Sequence, residues 1–132
     1  MKGYNNNLEK ITEDNSDFRN VLYTSKHMQL VLMSLLPGEE IGVETHKEGD
    51  QFFRFESGEG KVTIDGVEHI VGAGDGVIVP QGAKHNVSNI STDKNLKLYT
   101  IYAPPHHKDG IVRKTKAEAV ADGPEFDGVT SE

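Results

Sequence analysis

Between residues 18 and 102, apolar and polar positions alternate in short runs, each closed by Gly, Pro, Asn, Asp or Ser. Side chains on a strand leave opposite faces with a period of two, so runs of this kind predict strands with one buried face. Nine are predicted, over residues 18–23, 27–36, 41–46, 51–56, 60–64, 67–71, 76–79, 85–89 and 96–102. Short, evenly spaced strands separated by turn signals point to an all-β sandwich or barrel. Asp65-Gly66, between two of these runs, is a strong two-residue hairpin signal. Thr115 with Glu118 three residues later forms a capping box, predicting a short C-terminal helix over 116–121 that Gly123-Pro124 stops. Parity also sorts side chains: Gln51, Phe53 and Phe55 share a face, Arg54 lies on the other, and at most one of Tyr99 and Tyr102 faces an interior. His69, beside Glu68 in the hairpin, reads as a solvated strand position.

Composition narrows the function classes. A chain of 132 residues is one domain, long enough for a core without staples. It has no cysteine, which excludes disulfides, iron–sulfur clusters and thiol nucleophiles. Lys and Arg number 14 against 21 Asp and Glu, a net charge of −7 that argues against a nucleic-acid surface. The most apolar run, residues 28–36, is too short to span a membrane. The first residues carry no secretory pattern, so a cytoplasmic location is expected. Three regions follow: a polar arm, 1–17, mobile or added as an edge strand to a partner subunit; a barrel, 18–104; and a C-terminal segment, 105–132, with the short helix and a frayed tail. An open sheet edge beside that arm predicts a homodimer.

The candidate chemistry lies in two stretches. In the second, Gly74 and Gly76 bracket Asp75 in a tight turn, Val77-Ile78-Val79 is a β-branched run, Pro80 ends it, and Gly82 lets the chain reverse before His85. In the first, Glu44 and His46 are one residue apart, so both leave the same strand face, and Gln51 opens the strand that follows the turn at 47–50. An antiparallel return would set Gln51 beside that pair, and a closed barrel could bring His85 across to them.

Both stretches resemble the two signature motifs of the cupin family. The second, G-x5-P-x-G-x2-H-x3-N, is matched without a gap by Gly74, Pro80, Gly82, His85 and Asn89. The first, G-x5-H-x-H followed by E and G, is matched in spacing by Gly38, Glu44, His46, Gln51 and Gly58, with Glu44 where a histidine is expected and Gln51 where the glutamate is expected. The resemblance covers roughly residues 28–103 and implies a double-stranded β-helix, the jelly-roll cupin barrel. It also implies that Glu44, His46, Gln51 and His85 hold a divalent transition metal, with Mn, Fe, Ni, Zn and Cu all open. The two departures offset each other in charge, because the set still has one carboxylate at a different corner. Two histidines and a carboxylate resemble the triad of non-haem iron enzymes, which leaves positions open for substrate.

Two function classes remain open from the residues. One is a metal-dependent cupin enzyme on a small polar metabolite, of dioxygenase, decarboxylase/lyase or sugar-isomerase type. The other is a non-catalytic ligand-binding or metal-sensing cupin. Pro104-Pro105-His106-His107 bears on the choice. It reads as an exposed turn with incidental histidines, or else as a barrel mouth where His106 serves as an acid/base group or a further ligand.

Overall fold

The structure, a computed structural model, describes residues 1–132. The alternating runs do form strands: β1 (Arg19–Thr24), β2 (Gln29–Leu35), β3 (Glu44–Thr45), β4 (Asp50–Ser57), β5 (Glu59–Ile64), β6 (Val67–Gly72), β7 (Gly76–Val79), β8 (Lys84–Asn89), β9 (Leu96–Ala103) and β10 (Val112–Arg113). Two helices flank them, α1 (Leu8–Asp14) and α2 (Lys116–Ala121). One sheet has the order β10-β1-β2-β9-β4-β7 and the other β3-β8-β5-β6, and every pairing is antiparallel. The two inner faces enclose the core, so the chain is a jelly-roll barrel with a short C-terminal helix.

Register aligns the inward side chains in rows across the larger sheet. Leu35 faces Leu96; Met33, Leu98 and Phe55 form the next row; Val31, Thr100, Phe53 and Val77 the next; Gln29, Tyr102, Gln51 and Val79 the last. Leu35, Leu96, Met33, Leu98, Phe53 and Phe55 are buried in one cluster. The interior is therefore apolar at one end of the strands and polar at the other.

Local chemistry explains the turns. Asp65 and Gly66 both have positive φ, +45° and +82°, which a two-residue hairpin matching the right-handed strand twist requires. At α2, the Thr115 side chain accepts from the Glu118 N–H at 3.2 Å while the Glu118 carboxylate accepts from the Lys114 N–H at 2.9 Å. Ala119 turns the helix onto the core.

Two predicted elements come out differently. Residues 8–14 of the polar arm are α1, not an edge strand: Asn7 caps it by accepting from the Lys10 N–H at 3.0 Å, and Thr12, on its inner side, is fully buried. Lys97, on the outward face of β9, donates its ammonium to the Asn15 carbonyl just past the helix, so α1 lies against the outside of the larger sheet. The second difference is the strand expected over 41–46, which shrinks to β3 because Gly42 has φ +114° and interrupts the pairing. The segment still follows β8 through the Ile41 N–H bonded to the Val87 carbonyl.

Candidate metal centre

The short β3 is what brings the first motif to the second. Glu44 pairs directly opposite His85 on β8, and His46 follows two residues later. One ligand atom from each of Glu44, His46 and His85 lies within 4.8 Å of the others. His85 is buried, and its Nδ1 is 3.1 Å from the Ala83 carbonyl oxygen, which can only accept. The proton therefore sits on Nδ1, and the Nε2 lone pair is left for another partner. The buried Phe53 ring lies 6.2 Å from it, tilted by 60°.

His46 Nε2 is 3.1 Å from Glu44 Oε2, yet no hydrogen-bond alignment joins them and the nitrogen has no other partner. Burial pushes the Glu44 carboxyl up, but the neighbouring His46, aided by His106 and Arg19, more than offsets this and holds it below the usual carboxylate value.

Gln51 is buried on the facing sheet at 3 % exposure. Its amide orientation is set by a relay: the Thr100 hydroxyl donates to the Phe52 carbonyl at 2.9 Å, so its lone pair accepts from Gln51 Nε2 at 2.9 Å. Gln51 Oε1 is thus the free end of the amide, and it has no partner. A buried carbonyl oxygen without a donor costs about 1–3 kcal/mol, which a cation or a ligand donor would offset. Arg54 lies on the outer side and pairs with Glu56 at 2.8 Å.

The expectation of an exposed turn at His106-His107 is overturned. His106 stacks on Tyr102 at 5.3 Å and meets the His46 ring edge-on at 4.5 Å. His107 is 6 % exposed, with Nε2 3.2 Å from the Tyr102 hydroxyl. The cause is Gln29, a fully buried residue that carried no signal beyond being a polar letter in an apolar run. Its Oε1 accepts from the N–H groups of both His106 and His107, at 3.2 and 2.9 Å, while its Nε2 donates to the His107 carbonyl at 2.7 Å. A strand side chain thereby replaces the solvent that an exposed turn would have used.

Burial, then the charge of His46, lowers the pKa of His106. Burial also drives His107 down, to about 2, with the positive charges of Arg19, His106 and His46 adding to it. Burial and the Glu44 charge raise Tyr102. At neutral pH His107 is an uncharged ring braced on a protonated phenol. A cavity of about 420 Å3 opens beside this group, lined by His46, Lys47, Asp50, Tyr102, His106 and Phe126 among others. His69 is exposed, away from the site.

No helix is long and apolar enough to cross a membrane. The chain is 46 % identical over 121 residues to the uncharacterized protein YrkC of Bacillus subtilis (strain 168), an alignment covering 87 % of this chain and 64 % of that protein. The crystal structure of BH2720 from Bacillus halodurans superposes with a TM-score of 0.88 at 40 % identity, over 92 % of this chain and 96 % of that one. An RmlC-like cupin from Shewanella frigidimarina superposes at 0.60 with 26 % identity, over 65 % and 74 % of the two chains. The cupin domain family matches residues 31–102, a span that begins on β2, ends at Tyr102 and contains Glu44, His46, Gln51 and His85. With the barrel, both motif segments and that match in agreement, the chain belongs to the cupin family.

Proposed function

We propose that this cupin is a metal-dependent enzyme acting on a small polar molecule, with Glu44, His46, His85 and the Gln51 amide oxygen holding a divalent transition ion. The observation that carries this reading is the convergence of three ligand atoms within 4.8 Å. Three further facts support it: the Nε2 lone pair of His85, the Nε2 of His46 facing the Glu44 carboxylate at 3.1 Å without hydrogen-bond alignment, and the orphaned Oε1 of Gln51. Two imidazoles and one carboxylate match the donor set of non-haem iron oxygenases, so dioxygen-dependent oxidation fits better than lyase or isomerase chemistry. A bound ion would supply Lewis acidity and positions for substrate. The residues do the rest. The buried Phe53 ring supplies apolar surface beside His85, and His106, held neutral by burial at the cavity wall, accepts a proton from substrate. His107, Tyr102 and Gln29 keep the His106 ring in place without taking up charge themselves.

The proposed enzyme is a homodimer in which the partner covers the two edges of the larger sheet, β7 and the two-residue β10. Elemental analysis of protein purified without added metal, followed by the visible spectrum of a Co(II)-loaded sample, tests the site. Near-stoichiometric transition metal and weak d–d bands of a five- or six-coordinate ion are expected. Less than about one-tenth of an equivalent after reconstitution, in a folded protein, removes the proposal.

A further inference from the structure

The outward faces of the two sheets are unlike. When one face of an antiparallel sheet packs on a core, the other is ordinarily polar. The smaller sheet follows this: one outward row joins Asn86, Thr63 and Glu68, the next joins Ser88, Lys61 and Ile70, and Lys61 pairs with Glu68 at 3.5 Å. The larger sheet does not. Ile78 on β7, Phe52 on β4, Ile101 on β9, Leu30 on β2 and Tyr23 on β1 are register partners in turn, so one apolar row crosses five strands on the outward face. None of the five is buried, and α1 is anchored farther along β9, at Lys97. On β4 the outward neighbours of Phe52 are Asp50 and Arg54, so the apolar row has charged residues at its rim, as a protein interface does.

The two ends of the row differ. At β7, an edge strand, Ile78 is 70 % exposed. Beside it the Phe52 ring lies over Gly76, where a Cβ would stand 3.1 Å from the ring, so apolar surface extends out to the edge. At the other end the surface is hollow: Tyr4, Tyr23, Met28, Leu30 and Ile101 are among the walls of an apolar pocket of about 370 Å3. The arm's side of that pocket is fixed in place. Tyr4 packs on Tyr23 with ring centres 5.6 Å apart, and the Glu132 carboxylate accepts from the Tyr23 hydroxyl and from the Lys2 and Gly3 N–H groups.

A small apolar molecule could fill the hollow, but it would leave Ile78 and Phe52 in water. A second copy of this chain accounts for both ends, because a two-fold axis makes residue i meet j wherever j meets i. The row is about 20 Å between its end strands, and with the side chains beyond them it matches a standard interface of about 800 Å2 per partner, about 28 Å across. We propose that this apolar row is the dimer interface of the protein, with a two-fold axis along the strands at Ile101 that seats Ile78 of each copy in the pocket of the other. Phe52 then packs on Leu30 of the opposite copy, and β7 lies over its β1 with β10 just beyond. This rests on the reading of the protein as a homodimer, and it names the surface that the two copies share.

The test is sedimentation equilibrium of the full chain at micromolar concentration, where wild type should show twice its 14.5 kDa. Ile78→Lys should raise the dimer dissociation constant at least about a hundredfold, because it places an ammonium in an apolar pocket. Its unfolding should stay cooperative, since the side chain is mostly exposed in the single subunit. Ile70→Lys is the control: an isoleucine exposed to 68 %, on the outward face of the other sheet, whose replacement should leave the dimer intact. The chain has no cysteine, so introduced ones report contacts without disrupting them. Under a short bismaleimide, Ile101→Cys should link to itself, and Ile78→Cys should link to Met28→Cys in a mixed sample far more than to itself. A dimer that survives Ile78→Lys, or that is lost equally in Ile70→Lys, overturns the proposed surface and leaves the homodimer standing. Ile78→Cys linking to itself as readily as to Met28→Cys overturns it too, because Ile78 would then lie near the axis and not in the pocket. A wild type that is monomeric throughout the micromolar range removes both the surface and the homodimer, while the metal content of the same sample judges the enzyme reading separately.

Discussion

The two ends of the barrel are built by the same four strands, yet they treat polar groups in opposite ways. β2 runs inward from Gln29 through Val31 and Met33 to Leu35, β4 from Gln51 through Phe53 to Phe55, and β9 from Tyr102 through Thr100 and Leu98 to Leu96. On β8 the inward series is His85, Val87 and Asn89. At the apolar end Asn89 is satisfied twice, donating to the carbonyls of Leu35 at 3.0 Å and Lys94 at 2.8 Å. At the polar end Gln51 Oε1 has no partner, and His46 Nε2 has only the Glu44 carboxylate 3.1 Å away, without hydrogen-bond alignment. Buried polar groups in folded proteins are nearly all paired, so the contrast separates the half of the interior that stabilises the fold from the half arranged for something that enters.

The largest effect expected from this contrast is at the apolar end. Phe55→Ala removes a fully buried ring stacked on Phe53 at 6.4 Å, and urea unfolding should show a loss of about 3–5 kcal/mol. Next comes His85→Ala at the polar end, which should reduce metal affinity by about a hundredfold or more. The metal-free variant should stay within about 1 kcal/mol of wild type in the same unfolding assay. Comparable stability losses in the two variants would show that the halves are one structural unit and that the division drawn here is wrong.

The third effect is one of pH. His107 has its pKa driven from 6.5 to about 2, first by burial and then by nearby positive charges. The unfolded chain takes up that proton near pH 6.5 while the folded chain does not. Over the window from about 6.5 down to about 2 the unfolded state therefore holds more protons, and stability falls as pH falls. Between pH 7 and pH 5 the loss attributable to this one group is about 2 kcal/mol. His107→Gln should flatten the profile by that amount, and identical profiles for variant and wild type would mean that His107 is not the group held neutral.

The smallest effects concern Gln51. Gln51→Glu puts a second carboxylate near Glu44, so like charges destabilise the metal-free protein by about 1 kcal/mol while metal retention tightens. Gln51→Ala should loosen retention modestly, far less than His85→Ala. If neither substitution alters metal affinity or apo stability, the amide oxygen does not face the ion, and three residues rather than four form the site.

The alternation of residue types was enough to place most strands to within a residue or two, because burial on one face imposes a period of two whatever the long-range pairing. The Asp65-Gly66 turn and the α2 cap were legible for the same reason, since their hydrogen bonds close within four residues. Motif spacing likewise marked Glu44, His46, Gln51 and His85. Only the tertiary structure decided that the ligand atoms of Glu44, His46 and His85 converge, through the pairing of Glu44 with His85 across 41 positions of chain.

The missed features share a cause. Gln29 holds the His106 and His107 backbone from 77 and 78 residues away, which turns an exposed-looking turn into a cavity wall. Arg19 has the same strand parity as any inward residue, but whether its guanidinium meets a carboxylate or none depends on which side chains the opposite sheet delivers. The arm became α1 because the outer face of β9 and β4 was there to receive it, and Thr12 is the residue of the helix that is buried. Local sequence determined the period, the turns and the donor types, since these rest on backbone sterics and short-range hydrogen bonds. Which polar groups end up paired and which are left open was decided by the fold, because that depends on partners brought from distant parts of the chain.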